Sequence, residues 1–325
     1  MDGAVEIPLV EISDLSVRFV TREATVHAVN QVSLTARRGE VLCILGESGS
    51  GKSVTLRTLM RLLPRHARVD GGVCVNGRDV LAMRSRELRD LRGGLVSMIF
   101  QEPMTALDPV YTIGQQIGET VRRHTGSSRT AARARALELL EMVRIPSAER
   151  RLDAYPHELS GGLRQRAMIA MALSCNPQLL LADEPTTALD ATVQVQLLIL
   201  LRRLQRELGM GMIFVTHDLG VAAEIADRIA VMYAGRIVEV GPVAQVLNAP
   251  LHPYTAGLLA STVHGQDRER DIDAIPGSPP DMRRLPPGCS FAPRCPRRVA
   301  ECRVAIPKLG VEERAVACHN PNQRG

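Results

Sequence analysis

The stretch Gly46-Glu-Ser-Gly-Ser-Gly-Lys-Ser53 decides the fold of this chain. It follows the short apolar run Val41–Leu45 and precedes a segment of helical character, Lys52–Leu63, which Pro64 closes. The stretch matches G-x-x-x-x-G-K-[ST], in which glycines let backbone N–H groups curl around phosphates and the next helix adds positive potential. The sequence therefore predicts an α/β fold with a phosphate-binding loop between a strand and a helix.

A second apolar strand, Leu179–Ala182, ends in the two acids Asp183 and Glu184. In a phosphate-loop protein, Lys52 reaches the β- and γ-phosphates and the Ser53 hydroxyl ligates Mg²⁺. Asp183 would hold the Mg²⁺ through its water shell, and Glu184 would polarise the attacking water. Two acids after a strand are by themselves compatible with a solvated turn. Beside the phosphate loop they predict nucleotide hydrolysis.

The remaining elements alternate between strand and helix. Apolar runs predict strands that lead into single polar residues: Val96–Phe100 into Gln101, and Met212–Thr216 into His217. Ser160 is a candidate N-cap for a helix that runs to about Ser174, and leucines at helical spacing predict a helix over Ala191–Leu208. Turn signals at Asn76-Gly77 and Ala234-Gly235 predict two hairpins.

Bulk composition limits the classes of function. The chain has 325 residues, of which 45% are hydrophobic, and its net charge of +5 comes from 40 basic and 35 acidic residues. Such a composition predicts a surface that carries both positive and negative charges, rather than the basic patch of a nucleic-acid-binding protein. No apolar run approaches the roughly 20 residues that span a bilayer. We expect a protein of the cytosol or of the cytosolic face of a membrane.

Four cysteines crowd into the last 37 residues: Cys289, Cys295, Cys302 and Cys318. Nine of the twenty prolines lie in residues 276–325, so this segment is too irregular for an ordinary core. Clustered cysteines in a cytosolic enzyme indicate metal binding more than disulfides. Four thiolates suit zinc or a [4Fe–4S] cluster, although the absence of a C-x-x-C pair weakens the zinc interpretation, and a segment without metal stays open.

Several motifs together resemble those of the ATP-binding subunits of ABC transporters. They are GESGSGKS, Gln101, Leu159-Ser-Gly-Gly-Leu-Arg-Gln-Arg166, LLLADE, Ala188-Leu-Asp190 and His217. The resemblance covers about residues 5–250 with the motifs in order. Many NTPases share the phosphate loop, whereas the LSGG signature is far more selective. At the fifth signature position this chain has Leu163, where many family members carry Gln, and no ligand role is assigned to Leu163.

The resemblance implies an ABC ATPase core with a helical subdomain at about 102–175, and it implies roles for matching residues. Ser160 and Gly162 would contact the γ-phosphate of ATP held by a partner subunit, and Gly161 between them is also expected to contact the nucleotide. Asp190 would order the partner's site, Gln101 would sense the γ-phosphate and Mg²⁺, and His217 would hold the transition state. Phe19 would stack on adenine. Further nucleotide contacts are expected from Gly46, Ser48, Gly49, Ser50, Gly51, Lys52, Ser53 and Val54.

Finer similarity is to the peptide-importing branch of the family. It lies in Gln101-Glu-Pro-Met-Thr-Ala-Leu-Asp-Pro109, in Tyr155-Pro-His-Glu-Leu-Ser-Gly-Gly162, and in His252-Pro-Tyr254 at the start of a C-terminal extension. LRQRAMIAMAL and DEPTTALDATVQ resemble the D-type ATPase of that branch. This implies an F-type ATPase partner, two membrane permease subunits that meet residues 101–125, and indirectly a substrate-binding protein.

The same resemblance implies two domains, 1–250 for nucleotide binding and 251–325 for the extension, and it favours a [4Fe–4S] cluster on the four cysteines. The expected cofactors are thus ATP, Mg²⁺ and this cluster, at the cytoplasmic face of the inner membrane. One alternative keeps the motor and changes the cargo to nickel or another small solute. Another is a soluble ABC-type ATPase that acts on nucleic acid, which a single ATPase core without a coiled-coil insertion disfavours.

Overall fold

The computed structural model describes residues 8–187, 189–261 and 275–323. The chain divides into two compact units. Unit 1 comprises Met1–Ala36, Glu40–Leu81 and Val215–Gly325, and unit 2 comprises Arg37–Gly39 and Ala82–Phe214.

The strands are β1 Val10–Val20, β2 Thr25–Ala36, β3 Val41–Leu45, β4 Ala67–Val75, β5 Arg78–Asp79, β6 Val96–Ile99, β7 Leu179–Asp183, β8 Gly211–Thr216, β9 Arg228–Tyr233, β10 Arg236–Pro242 and β11 Ala315–Val316. The α-helices are α1 Lys52–Leu59, α2 Ser85–Asp90, α3 Pro103–Ala106, α4 Ile113–Thr125, α5 Arg129–Met142, α6 Ala148–Arg151, α7 Gly161–Ala172, α8 Ala191–Leu208, α9 Leu219–Ile225, α10 Val243–Asn248 and α11 Pro253–Ala260.

Unit 1 contains two groups of strands. One is an antiparallel sheet in the order β2-β1-β4-β5, and the other has the order β11-β10-β9-β3. In the second group β3 runs parallel to β9, while β10 is antiparallel to both of its neighbours. Every residue of β3 and of β9 is buried. Apart from Arg228, which pairs with Glu40, these residues form apolar runs, as expected of strands that are covered on both faces.

The C-terminal extension belongs to unit 1. Strand β11 adds to the edge of β10, with Ala315 opposite Val240 and Val316 opposite Glu239. The Glu239 carboxylate is fully buried and accepts the backbone N–H groups of Leu251 at 2.8 Å and His252 at 2.9 Å. These bonds satisfy a buried charge, which is costly when left unpaired, and they fix the entry into α11. Residues 262–274 of the extension lie outside the described residues.

Unit 2 combines β6, β7 and most of β8 with the long helices. Strands β6 and β7 are parallel, so their carboxyl ends reach the same edge. Helix α4 begins at a capping box: the Thr112 hydroxyl accepts the Gln115 N–H at 3.3 Å, and the Gln115 side chain accepts the Thr112 N–H at 2.9 Å. Helix α5 packs through Ala132, Ala136, Leu139 and Leu140, which are all buried.

One predicted helix is shorter than expected. The sequence predicted a helix over Lys52–Leu63, but α1 ends at Leu59. The Met60 N–H bonds the Arg57 carbonyl, and Arg61 takes a left-handed φ of 48°. The ring of Pro64 disfavours the helical conformation at Leu63, so the chain turns before it. The strand before the phosphate loop and the helix Ala191–Leu208 have the bounds that the sequence predicted.

None of the helices in the described ranges is long and apolar enough to cross a membrane.

Candidate nucleotide site

The phosphate loop in unit 1 lies between the carboxyl end of β3 and the first residue of α1. The Lys52 ammonium is buried and donates hydrogen bonds to the carbonyl oxygens of Gly46 at 2.7 Å and Glu47 at 2.9 Å. The loop therefore curls around its own lysine. Lysine in this position, with the N–H groups of the following helix, is an anion site.

Two glycines of the loop have no room for a side chain. A Cβ on Gly46 would lie 2.1 Å from the Met232 carbonyl oxygen. A Cβ on Gly51 would lie 2.3 Å from the Ala28 carbonyl oxygen, and the φ of Gly51 is +105°. Only glycine tolerates that combination. These glycines hold the backbone close to its neighbours, so that the loop presents amides rather than side chains to a ligand.

The hydroxyl groups of the loop differ in exposure. Ser48 is exposed and Ser53 is half-buried, as is Val54 beside it. The Ser50 Oγ atom is buried and has no hydrogen-bond partner in the described part of the chain. A buried hydroxyl without a partner is unfavourable. The loop of small residues, the buried ammonium and this hydroxyl fit a bound polyphosphate.

His217 follows β8 in unit 1 and is exposed. The next residue fixes the turn, because the Asp218 carboxylate caps α9 by accepting the N–H groups of Gly220 at 2.7 Å and Val221 at 3.2 Å. The Asp218 N–H in turn donates to the Thr216 hydroxyl at 3.0 Å. The imidazole therefore stands on a tightly bonded turn.

Phe19 lies near the end of β1 in unit 1 and is half-buried. Its ring centroid lies 5.8 Å from that of His66, with the two rings tilted by 55°. This aromatic pair leaves part of the Phe19 ring accessible.

In unit 2 the acidic pair lies at the end of β7. Asp183 is fully buried, and Glu184 is half-buried with a left-handed φ of 46°. The Glu184 Oε2 atom accepts the Thr187 hydroxyl hydrogen at 3.0 Å. A non-glycine residue in this backbone region is uncommon and is often found at functional sites.

Gln101 lies at the same sheet edge as the acidic pair. Ile99 pairs with Ala182 in the parallel register of β6 and β7, so Gln101 and Asp183 both follow the carboxyl ends of neighbouring strands. Gln101 is exposed. In open parallel sheets this edge is where ligands bind.

The signature segment forms the start of α7 in unit 2. Ser160 occupies the N-cap position with extended backbone angles, but its hydroxyl makes no capping hydrogen bond. The structure confirms Ser160 as the N-cap residue of α7, but its side chain does not satisfy the first amides of the helix. Ser160 and Gly161 are exposed, and a Cβ on Gly162 would lie 3.0 Å from Val193. The N-terminus of α7 thus faces outward with uncapped amides.

Two neighbours of the signature make defined bonds. Gln165 is buried and donates from Nε2 to the Pro185 carbonyl oxygen at 2.6 Å, which ties α7 to the residue that follows Glu184. Sequence reasoning did not single out Gln165. Asp190 caps α8 by accepting the Val193 N–H at 2.9 Å. Ala188, in the same motif, lies outside the described residues.

Three of the four C-terminal cysteines have similar surroundings. Burial raises the pKa of the thiols of Cys289, Cys295 and Cys318, that of Cys318 to about 11. In each case the backbone amide two residues later opposes the rise: that of Phe291, Arg297 and Asn320, respectively. The thiols are also electrostatic neighbours, since Cys318 interacts with the other three.

Despite this proximity, no group of three or more His, Cys, Asp or Glu side chains within residues 8–187, 189–261 and 275–323 is arranged to hold a metal ion. The Cys289 N–H does bond the Cys302 carbonyl at 2.9 Å, which joins two of the cysteines through the backbone.

Comparison with known proteins matches both parts of the chain. A family model described as ABC transporter matches residues 29–187, and one described as oligopeptide/dipeptide transporter, C-terminal region, matches residues 238–302. The oligopeptide transport ATP-binding protein OppD of Salmonella typhimurium is 48% identical over 314 residues, which are 96% of this chain and 94% of OppD. A Brucella melitensis protein, named as a peptide import ATP-binding protein, is 53% identical over 93% of each chain.

Among solved structures, the ATP-binding cassette MJ0796 is similar with a TM-score of 0.65 and 30% identity, over 72% of this chain and 98% of that one. It was solved as a dimer, in a post-hydrolysis state with bound ADP and Pi. The chain is thus an ABC-type ATPase, the ATP-binding subunit of a transporter. Within that class it belongs to the family of peptide import ATP-binding proteins that includes OppD.

Proposed function

We propose that ATP hydrolysis by this chain powers the import of peptides across the cytoplasmic membrane, with the chain bound peripherally at the cytoplasmic face. The observation that carries the proposal is that the phosphate loop, the acidic pair and the signature helix occur together with a C-terminal region of the oligopeptide/dipeptide transporter type. The extension is the part that separates this branch from other ABC ATPases.

We assign the catalytic roles from the sequence motifs. Lys52 and the loop amides bind the phosphates, and Phe19 stacks on adenine. By the motifs, Ser53, Gln101 and Asp183 would hold Mg²⁺, which would supply charge neutralisation. Glu184 orients and polarises the attacking water, and His217 stabilises charge on the transferred phosphoryl group.

The signature acts on the nucleotide of a second ATPase subunit. The exposed N-terminus of α7 has no side-chain cap within the described part of the chain, and with the Ser160 hydroxyl it would form an anion site. We assign the second subunit to the F type of the same branch. Asp190 stands at the start of α8 beside Val193, which packs near Gly162, so it lies at the same surface.

Residues 101–125 form the surface that meets the two membrane permease subunits. Met104, Val110 and Tyr111 are exposed there, with 68% of Val110 accessible. Apolar side chains this exposed are typical of a contact surface. A substrate-binding protein would act on the same permeases from the other side.

We assign the four cysteines to a [4Fe–4S] cluster on their sequence pattern, since the described side chains are not arranged to hold a metal ion; the cluster would give the extension structural support. Burial raises the pKa of three of the thiols and neighbouring backbone amides oppose the rise, so a bound metal would have to supply the charge that keeps them as thiolates. Anaerobic purification followed by iron, sulfide and zinc analysis tests the assignment. Iron and sulfide in a ratio near one support it, and a protein that contains neither contradicts it.

Uptake of labelled di- and oligopeptides by cells that lack this chain tests the function. Wild type should restore uptake and Glu184→Gln should not. The variant should bind ATP normally and hydrolyse it more slowly by on the order of 10²–10⁴-fold. Glu224→Gln, an exposed carboxylate on α9, is the matched control and should behave as wild type. If peptide uptake does not depend on the chain, peptide is the wrong cargo. Nickel uptake by the same cells is then measured next.

A further inference from the structure

The C-terminal extension contacts the phosphate loop through the side chain of Arg294. Arg294, the residue before Cys295, is 93% buried at its side chain and forms an ion pair with Glu47, the second residue of the loop. Its Nη1 atom lies 3.1 Å from Oε2 and 3.3 Å from Oε1 of Glu47, and its Nη2 atom lies 3.3 Å from Oε1. This forked arrangement is the strong form of an arginine–carboxylate pair.

Arg294 is held in place from several sides. Its Nε atom donates to the Pro276 carbonyl at 3.0 Å, and Nη2 donates to the Ile275 carbonyl at 3.3 Å. Its Nη1 atom lies 3.4 Å from the Tyr233 hydroxyl, at the end of β9. An arginine with every branch bonded loses little further freedom when it holds a carboxylate.

A second contact fixes the backbone of the same loop residue. The Glu47 N–H donates to the hydroxyl oxygen of Tyr254 at 3.1 Å, and Tyr254 is fully buried on α11. The rings of Tyr233 and Phe291 pack on Tyr254, with centroids 4.6 and 5.4 Å away. Phe291 follows Cys289 by two residues. The cysteine segment and α11 therefore form one buried aromatic cluster behind the loop.

We propose that Arg294 is a positioning residue for ATP binding: it neutralises Glu47 and holds the phosphate loop in its binding shape, so that the extension completes the nucleotide site. The physical reason is the negative charge of the ligand. A carboxylate in a phosphate loop repels the anionic nucleotide unless a cation offsets its charge. Arg294 is that cation and, from a position 247 residues away in the sequence, makes ATP affinity depend on the folded extension. The inference rests on the proposed role of the loop.

The test is a set of variants in the full chain, read out by equilibrium binding of a fluorescent ATP analogue and by the KM and kcat of the assembled transporter. Arg294→Met should weaken analogue binding and raise KM on the order of tenfold, with kcat changed much less. Arg294→Lys keeps the positive charge but cannot form the bidentate pair with the carboxylate, so it should bind the analogue more tightly than Arg294→Met and less tightly than wild type. Arg303→Gln, an exposed arginine beside Cys302, is the matched control and should bind as wild type.

The double variant Glu47→Gln/Arg294→Met separates this proposal from a general loss of folding. Without the carboxylate there is no charge to offset, so the double variant should bind the analogue more tightly than Arg294→Met alone. Additive weakening in the double variant, or wild-type binding by Arg294→Met, would overturn the proposal. Wild-type protein that binds no ATP analogue would instead refute the phosphate loop assignment, and failed peptide uptake with intact binding would refute only the cargo.

Discussion

Helices α1 and α7 both begin at glycine-rich segments, but their N-termini are built differently. At α1 the chain supplies its own cation, since Lys52 lies under the loop with its ammonium on the carbonyls of Gly46 and Glu47. At α7 the segment is exposed, and the Ser160 hydroxyl caps nothing. The first helix start thus has its cation within the same chain, whereas we propose that the second offers its amides to a nucleotide held by another chain.

The largest effect on a measured quantity is expected when Lys52, the cation of the phosphate loop, is removed. Lys52→Ala should weaken binding of a fluorescent ATP analogue to this chain by at least on the order of 10²-fold, because charge-assisted bonds to two phosphates are lost. The chain has only two lysines, and exposed Lys308 provides the control. Lys308→Ala should bind as wild type. Equal binding by Lys52→Ala and wild type would mean that the loop is not the phosphate site.

Acidification should lower the stability of the folded chain through His252, at the start of the helix α11 that packs behind the phosphate loop. Burial lowers the pKa of His252 to about 4 from its ordinary 6.5, and its Nδ1 atom accepts the Tyr254 N–H at 3.0 Å. The unfolded chain takes up this proton below about pH 6.5 and the folded chain does not, so stability is lost between pH 6.5 and 4. The loss should approach about 3 kcal/mol.

Urea unfolding of wild type and His252→Asn between pH 7.5 and 4.5 measures this loss. Asparagine keeps an acceptor at the N-cap and cannot titrate, so the variant should show a weaker pH dependence. His157→Asn, at an exposed histidine, should keep the wild-type dependence. Identical pH profiles for wild type and His252→Asn would show that His252 is not the group that titrates.

The smallest effect concerns the caps themselves. The Ser128 hydroxyl caps α5 by accepting the Ala131 N–H at 3.2 Å, whereas Ser160 makes no such bond. Ser128→Ala should therefore lower the free energy of unfolding by about 1 kcal/mol. Ser160→Ala should change it by less than roughly 0.5 kcal/mol while it lowers ATP turnover. Equal losses of stability would show that Ser160 is a structural cap in solution.

The sequence was sufficient for the parts of the fold that depend on local pattern. Buried parallel strands read as continuous apolar runs, so β3 and β7 and the polar residues after them were predictable. The end of α1 was predicted four residues too late, because the left-handed turn at Arg61 carries no strong residue signal. Ser160 is a residue type that often caps helices, and only the structure shows that its hydroxyl makes no capping hydrogen bond.

The contacts behind the phosphate loop were beyond sequence reasoning. Glu47 and Arg294 are each ordinary in their local sequence, and their pairing depends on the fold of the extension. Gln165 gave no signal either, since its partner is a backbone carbonyl that any residue possesses. Long-range bonds of these kinds connect motifs without being part of them.

The most direct test of the account compares Gly161→Asp with Gly161→Asn. A Cβ at Gly161 meets no atom within 4 Å, and a carboxylate at a helix N-terminus does not weaken the helix, so both variants should fold. Measured together, the ATP affinity of the chain and the turnover of the assembled transporter separate the two sites. We predict that Gly161→Asp leaves affinity unchanged and cuts turnover on the order of tenfold or more through like-charge repulsion, while Gly161→Asn has a much smaller effect. A loss of the chain's own ATP affinity comparable to that of Lys52→Ala, or unchanged turnover, would contradict the account.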